Sequence, residues 1–152
     1  MPLRRTLLYL SQQQKFRQWA ETSPVARSLS SRFIAGHTLY EALSVCRKVH
    51  AQGIAATLDY LGENVTSLNE AGACRDMYLR MLAGLRDAGL VPNVSVKLTQ
   101  FGLDFSTEAC ERNVAALVSV AAETGGFVRI DMEASAYTER TLGIVTRLHA
   151  RY

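Results

Sequence analysis

The chain has no glycine-rich GxGxxG turn after any strand-like stretch and no Walker motif, so neither a dinucleotide fold nor a phosphate loop has support. Cysteine is scarce. Cys46, Cys74 and Cys110 are odd in number and far apart, with no CxxC pair. That argues against a disulfide framework or a zinc site and fits free thiols in a reducing compartment. No apolar run approaches the roughly 18 residues a membrane span needs. Leu7–Leu10 is too short for a signal-peptide core, and no small-residue cleavage site follows it. There is no Ser-His-Asp arrangement and no metal-ligand cluster; His37, His50 and His149 fall in or beside helical patterns and read as surface or packing residues. The expected location is the cytoplasm, or peripherally at the inner face of the membrane.

What is present is enough for a core. The 152 residues are 48% hydrophobic and 20% charged, the range of one ordinary domain. The net charge of +3 is small, and part of it comes from the first 32 residues, which hold six cations against Glu21 alone. A nucleic-acid or membrane arm and a transit peptide are readings of that run. The interleaved Leu7, Leu8, Leu10, Phe16 and Trp19 favour a basic helix face beside a packing stripe, and no nucleic-acid partner is expected.

Residues 1–53 read as a helical segment: Leu3–Thr22, a break at Ser23-Pro24, Val25–Phe33, then Leu39–Ala51 behind a capping box at Thr38–Glu41. Residues 54–152 read as three βα units. The strands are Ile54–Tyr60, Val94–Thr99 and Phe127–Glu133, starting about 40 and 33 residues apart. The helices are Leu68–Ala88, Thr107–Thr124 and Tyr137–Arg151, the first behind a second capping box at Ser67–Glu70.

Side chains alternate across a strand. One face carries Ile54, Ala56, Leu58, Val94, Val96, Leu98, Val128, Ile130 and Met132; the other carries Thr57, Asp59, Ser95, Lys97, Thr99, Arg129, Asp131 and Glu133. Strands joined by helices pair in parallel, and parallel strands are normally apolar on both faces. Charge shared along one face of three of them points to a polar interior. Chemistry in a (β/α)8 barrel sits at the C-terminal strand ends, where Asp59, Lys97, Asp131 and Glu133 fall. A full barrel takes about 250 residues. The expected fold is therefore α/β, the N-terminal portion of a (β/α)8 TIM-like barrel: a helical lead-in plus three βα units, incomplete. Lys97 can grip an anion or act as a neutral base, or it can form a structural ion pair with Asp131 or Asp59. Asp131 needs a partner or a ligand. Arg129 is either functional or only neutralises Asp131 or Glu133. Glu63, in the loop after the first strand, can pair with an arginine from elsewhere or be an exposed loop carboxylate.

The segments Thr57-Leu58-Asp59-Tyr60-Leu61-Gly62-Glu63, Val94-Ser95-Val96-Lys97-Leu98-Thr99 and Val128-Arg129-Ile130-Asp131-Met132-Glu133, in that order and spacing, resemble the proline dehydrogenases, as does the lead-in Arg32–Leu39. The resemblance runs along essentially the whole chain. It implies a distorted barrel with FAD at the C-terminal strand ends, oxidation of L-proline to 1-pyrroline-5-carboxylate, and electrons passed to a membrane quinone. It implies Lys97 beside the substrate carboxylate, Asp131 near substrate and flavin, and Glu63 paired with a substrate-binding arginine. The family's later strands and late helix are not in the chain, so a truncated or split enzyme is expected, one that needs a missing C-terminal half. Two other readings stand beside it. One is a catalytically inactive half-barrel that acts as a module for self-association or complementation. The other is a different barrel enzyme with Lys97 anchoring an anionic small molecule.

Overall fold

The computed structural model describes residues 34–62 and 65–152. The chain divides into two compact units, residues 1–42 and 43–152. The helices expected over Leu3–Thr22 and Val25–Phe33 lie outside the described residues.

Helix α1 spans Leu39–His50. Its start is the expected capping box: the Thr38 hydroxyl oxygen accepts from the Glu41 amide at 3.2 Å, and Glu41 accepts from the Thr38 amide at 3.1 Å. In the larger unit the elements are β1 (Leu58–Asp59), α2 (Leu68–Asp87), β2 (Asn93–Val96), α3 (Thr107–Glu123), β3 (Phe127–Ile130) and α4 (Thr138–Arg151). Short 3-10 turns cover Leu98–Phe101 and Ser135–Tyr137. The strands form a parallel sheet in the order β1-β2-β3. Asp59 lies opposite Ser95, and Ser95 lies opposite Arg129.

α1, α2 and α3 each start where a hydroxyl takes up an orphan amide, whereas α4 has no side-chain cap. Ser67 accepts from the Glu70 amide at 3.2 Å before α2, and Ser106 from the Ala109 amide at 3.1 Å before α3. The second capping box is modified: Glu70 reaches past Ser67 to accept from the Thr66 amide at 2.6 Å.

The core lies between the sheet and the helices. Val94, Val96 and Leu98 are fully buried, with Tyr78, Leu82 and Leu85 of α2, Val114 and Leu117 of α3, and Ile144 of α4. The alternation is kept, but the strands are shorter than expected. β2 gives way to the 3-10 turn at Leu98, inside what reads as strand and loop. β1 parts from β2 at Tyr60, whose amide donates to the Tyr78 hydroxyl at 3.1 Å. Ile54 and Met132, placed on the apolar face by the alternation, are more than half exposed because they fall outside the strands.

Two glycines permit tight passages. Gly102 ends the first 3-10 turn at φ 95, and a Cβ there would stand 3.1 Å from the Leu68 side chain. A Cβ on Gly126 would stand 2.4 Å from the Pro92 carbonyl oxygen, which accepts from the Phe127 amide at 2.7 Å to open the β2–β3 pairing.

Candidate functional site

The face of the sheet turned away from Val94 and Val96 carries a connected polar network at the C-terminal strand ends. Lys97, just past β2, sits between two carboxylates. Its Nζ is 3.3 Å from Asp59 Oδ2 and 3.8 Å from Asp131 Oδ2. Asp59 closes β1, and Asp131 follows β3 with its amide donating to the Val96 carbonyl at 2.9 Å. The strand ends therefore bring the three charges together from positions far apart in sequence.

Asp131 is held by its neighbours. The Ser95 hydroxyl donates to Asp131 Oδ1 at 2.8 Å, and Arg129 Nε donates to the same oxygen at 3.1 Å. The Ser95 hydrogen bond, then Arg129 and the Lys97 charge, hold the Asp131 carboxyl below the usual aspartate range despite partial burial. Arg129 thus neutralises Asp131 rather than Glu133. Glu133 is engaged elsewhere: it accepts from the Thr99 amide at 3.1 Å and from the Thr99 hydroxyl, clamping the 3-10 turn to the segment after β3.

Lys97 and Asp131, both read from the sequence, are brought together. Glu63 lies outside the described residues. His37, His50 and His149 are exposed, as expected. The three cysteines are free and buried. Burial pushes the Cys74 thiol up to about 11 and the Cys110 thiol up to about 12. Among the described residues no cluster can hold a metal ion, and no helix is long and apolar enough to cross a membrane.

The strand pattern missed two members of the network. Tyr78, from α2, has its hydroxyl 2.9 Å from Asp59 Oδ1 and 2.8 Å from the Ser95 carbonyl. Gln100, in the 3-10 turn, donates to the Tyr60 carbonyl at 3.0 Å. Tyr78 carries no polar signal in sequence, because it falls on the buried stripe of its helix with Ala71, Cys74, Met81 and Leu85.

A parallel sheet with helices on one side and a charged network at the C-terminal strand ends on the other defines a segment of a TIM-type α/β barrel. The chain belongs to the proline dehydrogenase family, whose sequence profile matches residues 42–152. It is 34% identical over 142 residues to proline dehydrogenase 1 of Bacillus subtilis, covering 93% of this chain and 47% of that protein. It is 30% identical over 118 residues to the proline dehydrogenase of Deinococcus radiodurans, covering 76% of this chain and 38% of that protein. The crystal structure of proline utilization A from Bdellovibrio bacteriovorus, inactivated by N-propargylglycine, superposes with a TM-score of 0.73 at 27% identity. That match covers 81% of this chain and 15% of that one. The chain thus spans about half the length of the curated relatives it matches.

Proposed function

We propose that this polar face is part of a proline dehydrogenase site, which oxidises L-proline to 1-pyrroline-5-carboxylate with FAD as the hydride acceptor and a membrane quinone downstream. The observation that carries the reading is Lys97 held between Asp59 and Asp131 at the strand ends, on a chain of this family. An amino-acid substrate brings a carboxylate, and a tethered ammonium with three rotatable donors is suited to bind it. Asp59 and Asp131 keep that ammonium over the face until the substrate arrives.

The residues fit a flavin by the chemistry of their donor set. Arg129, on β3, offers N–H donors and Asp131, just past the strand, an acceptor, matching a ring edge that itself mixes acceptors with one N–H. Bound FAD would supply the redox chemistry. Asp131 would hold the cofactor edge while staying ionised under the Ser95 hydroxyl. Glu63 would pair with a substrate-binding arginine of the completed barrel and help close the site. In this reading residues 1–53 are the helical lead-in and 54–152 the first three βα units. Three strands are fewer than half of such a barrel, so turnover needs further strands, whichever chain supplies them.

The test is a graft of residues 42–152 in place of the matching segment of the Bacillus subtilis relative. The expected result is a flavin that bleaches on anaerobic addition of L-proline. A folded, flavin-loaded graft that does not bleach overturns the reading. A second reading, a catalytically empty association module, draws on the β3 edge. Among the described residues β3 is paired on one side only, and Phe127 is 60% exposed. Concentration-dependent association without flavin would favour it.

A further inference from the structure

We propose that Tyr78 is the positioning residue of this site: its hydroxyl, wedged between the ends of β1 and β2, fixes the Asp59 carboxylate and through it the Lys97 ammonium. The inference rests on the reading of Lys97 as the cation of the site.

The geometry is that of a single hydroxyl at a junction of two strands. Asp59 opposite Ser95 is the last register pair between β1 and β2. One residue on, the Tyr60 amide finds the Tyr78 oxygen at 3.1 Å, and that oxygen is 2.8 Å from the Ser95 carbonyl. A side chain from the outer helix thus stands where the two strands separate and bridges their backbones. A tyrosine hydroxyl has one proton and two acceptor sites. The Tyr60 amide donates to the oxygen, which leaves the proton for Asp59 Oδ1 at 2.9 Å, the Ser95 carbonyl at 2.8 Å or Gln100 Oε1 at 3.5 Å. A bond to the carboxylate is the strongest of these.

Asp59 then has its two oxygens assigned to different tasks. Oδ1 takes the Tyr78 proton, and Oδ2 faces Lys97 Nζ at 3.3 Å. A carboxylate without the first bond could turn and engage the ammonium through both oxygens. Tyr78 therefore sets the direction from which Asp59 meets Lys97. The ring is in turn immobilised. Tyr78 has no exposed surface, and it packs edge-on against Tyr60 at 6.3 Å between centroids and tilted against Phe101 at 5.3 Å. Burial, first, and the Asp59 charge push the phenol pKa far up, so the proton stays on the hydroxyl throughout the physiological range.

The test uses the full chain, whose three lysines are Lys15, Lys48 and Lys97. Lysine labelled with carbon-13 at Cε gives one resonance for each, with Lys97 assigned by its loss in Lys97→Arg. Tyr78→Phe is expected to shift the Lys97 resonance while Lys15 and Lys48 stay in place. With Asp59→Asn already present, adding Tyr78→Phe is expected to shift Lys97 no further, since coupled residues are non-additive. An unmoved Lys97 in folded Tyr78→Phe overturns the proposal, as does an equal shift in the Asp59→Asn background. If Tyr78→Phe does not fold, labelling the tyrosines at Cζ decides instead: Asp59→Asn must shift the Tyr78 resonance, and no shift overturns the proposal. These spectra read geometry without turnover. A silent Tyr78→Phe leaves the proline dehydrogenase reading standing, and a graft that fails to bleach leaves the spectral result intact.

Discussion

Ser95 is the residue on which the charge state of Asp131 most depends. Its hydroxyl donates to the carboxylate and also accepts from Arg129 Nε at 3.3 Å, so one buried serine links Arg129 of β3 and Asp131 just beyond it to β2. Because the folded-state pKa of Asp131 is lowered, its contribution to stability is complete above the ordinary aspartate value of about 3.9. That contribution is lost as pH falls through the lowered value. Ser95→Ala should move the Asp131 titration back up toward the ordinary value, read by carbon-13 NMR of the carboxyl; an unchanged titration would exclude Ser95 as the main cause. The thiols give a second expectation at this scale. Cys74 and Cys110 are buried with raised pKa values, so a thiol reagent at neutral pH should label them only after denaturation. Rapid labelling of the native chain would contradict their placement. The alternation of strand side chains made Lys97, Asp131 and Asp59 legible in the sequence, since a charge inside a parallel strand is costly unless partnered. Tyr78 and Gln100 were not legible. One lies on a helix stripe whose spacing reads as core, and the other in a segment that reads as loop.

Helix boundaries were read closely because they are written locally, in the hydroxyls and carboxylates that satisfy the first free amides. Thr38, Ser67 and Ser106 each cap the helix that follows them. Ser106→Ala should lower stability by about 1 kcal/mol, with a drop in thermal midpoint as the readout. Strand lengths were not legible, because a strand ends where its hydrogen bonds go elsewhere. For β1 that is decided by a tyrosine hydroxyl 18 positions away. The junction of β2 and β3 is equally non-local. Gly126 passes so close to Pro92 that a methyl group must displace backbone. Gly126→Ala should therefore cost about 1–3 kcal/mol, seen as a lowered denaturant midpoint with unchanged slope. A neutral substitution would mean that the junction is looser than the distance implies.

At the scale of the whole molecule, the βα period and the one-sided charge of the strands were enough to read a piece of a barrel, and the family match over residues 42–152 agrees with that reading. The sequence could not show how the polar groups divide their partners. Asp131 takes Ser95 and Arg129, Glu133 takes Thr99, and Lys97 is left facing Asp59 and Asp131. In the proposed function Lys97 is the cation that receives a substrate carboxylate. The most direct measurement is the L-proline concentration for half-maximal anaerobic flavin bleaching, compared between the grafted enzyme and its Lys97→Met form. A lost charged hydrogen bond of about 1.5–3 kcal/mol should raise that concentration roughly 10- to 150-fold with flavin still bound. An unchanged concentration would contradict the assignment of Lys97 to the substrate.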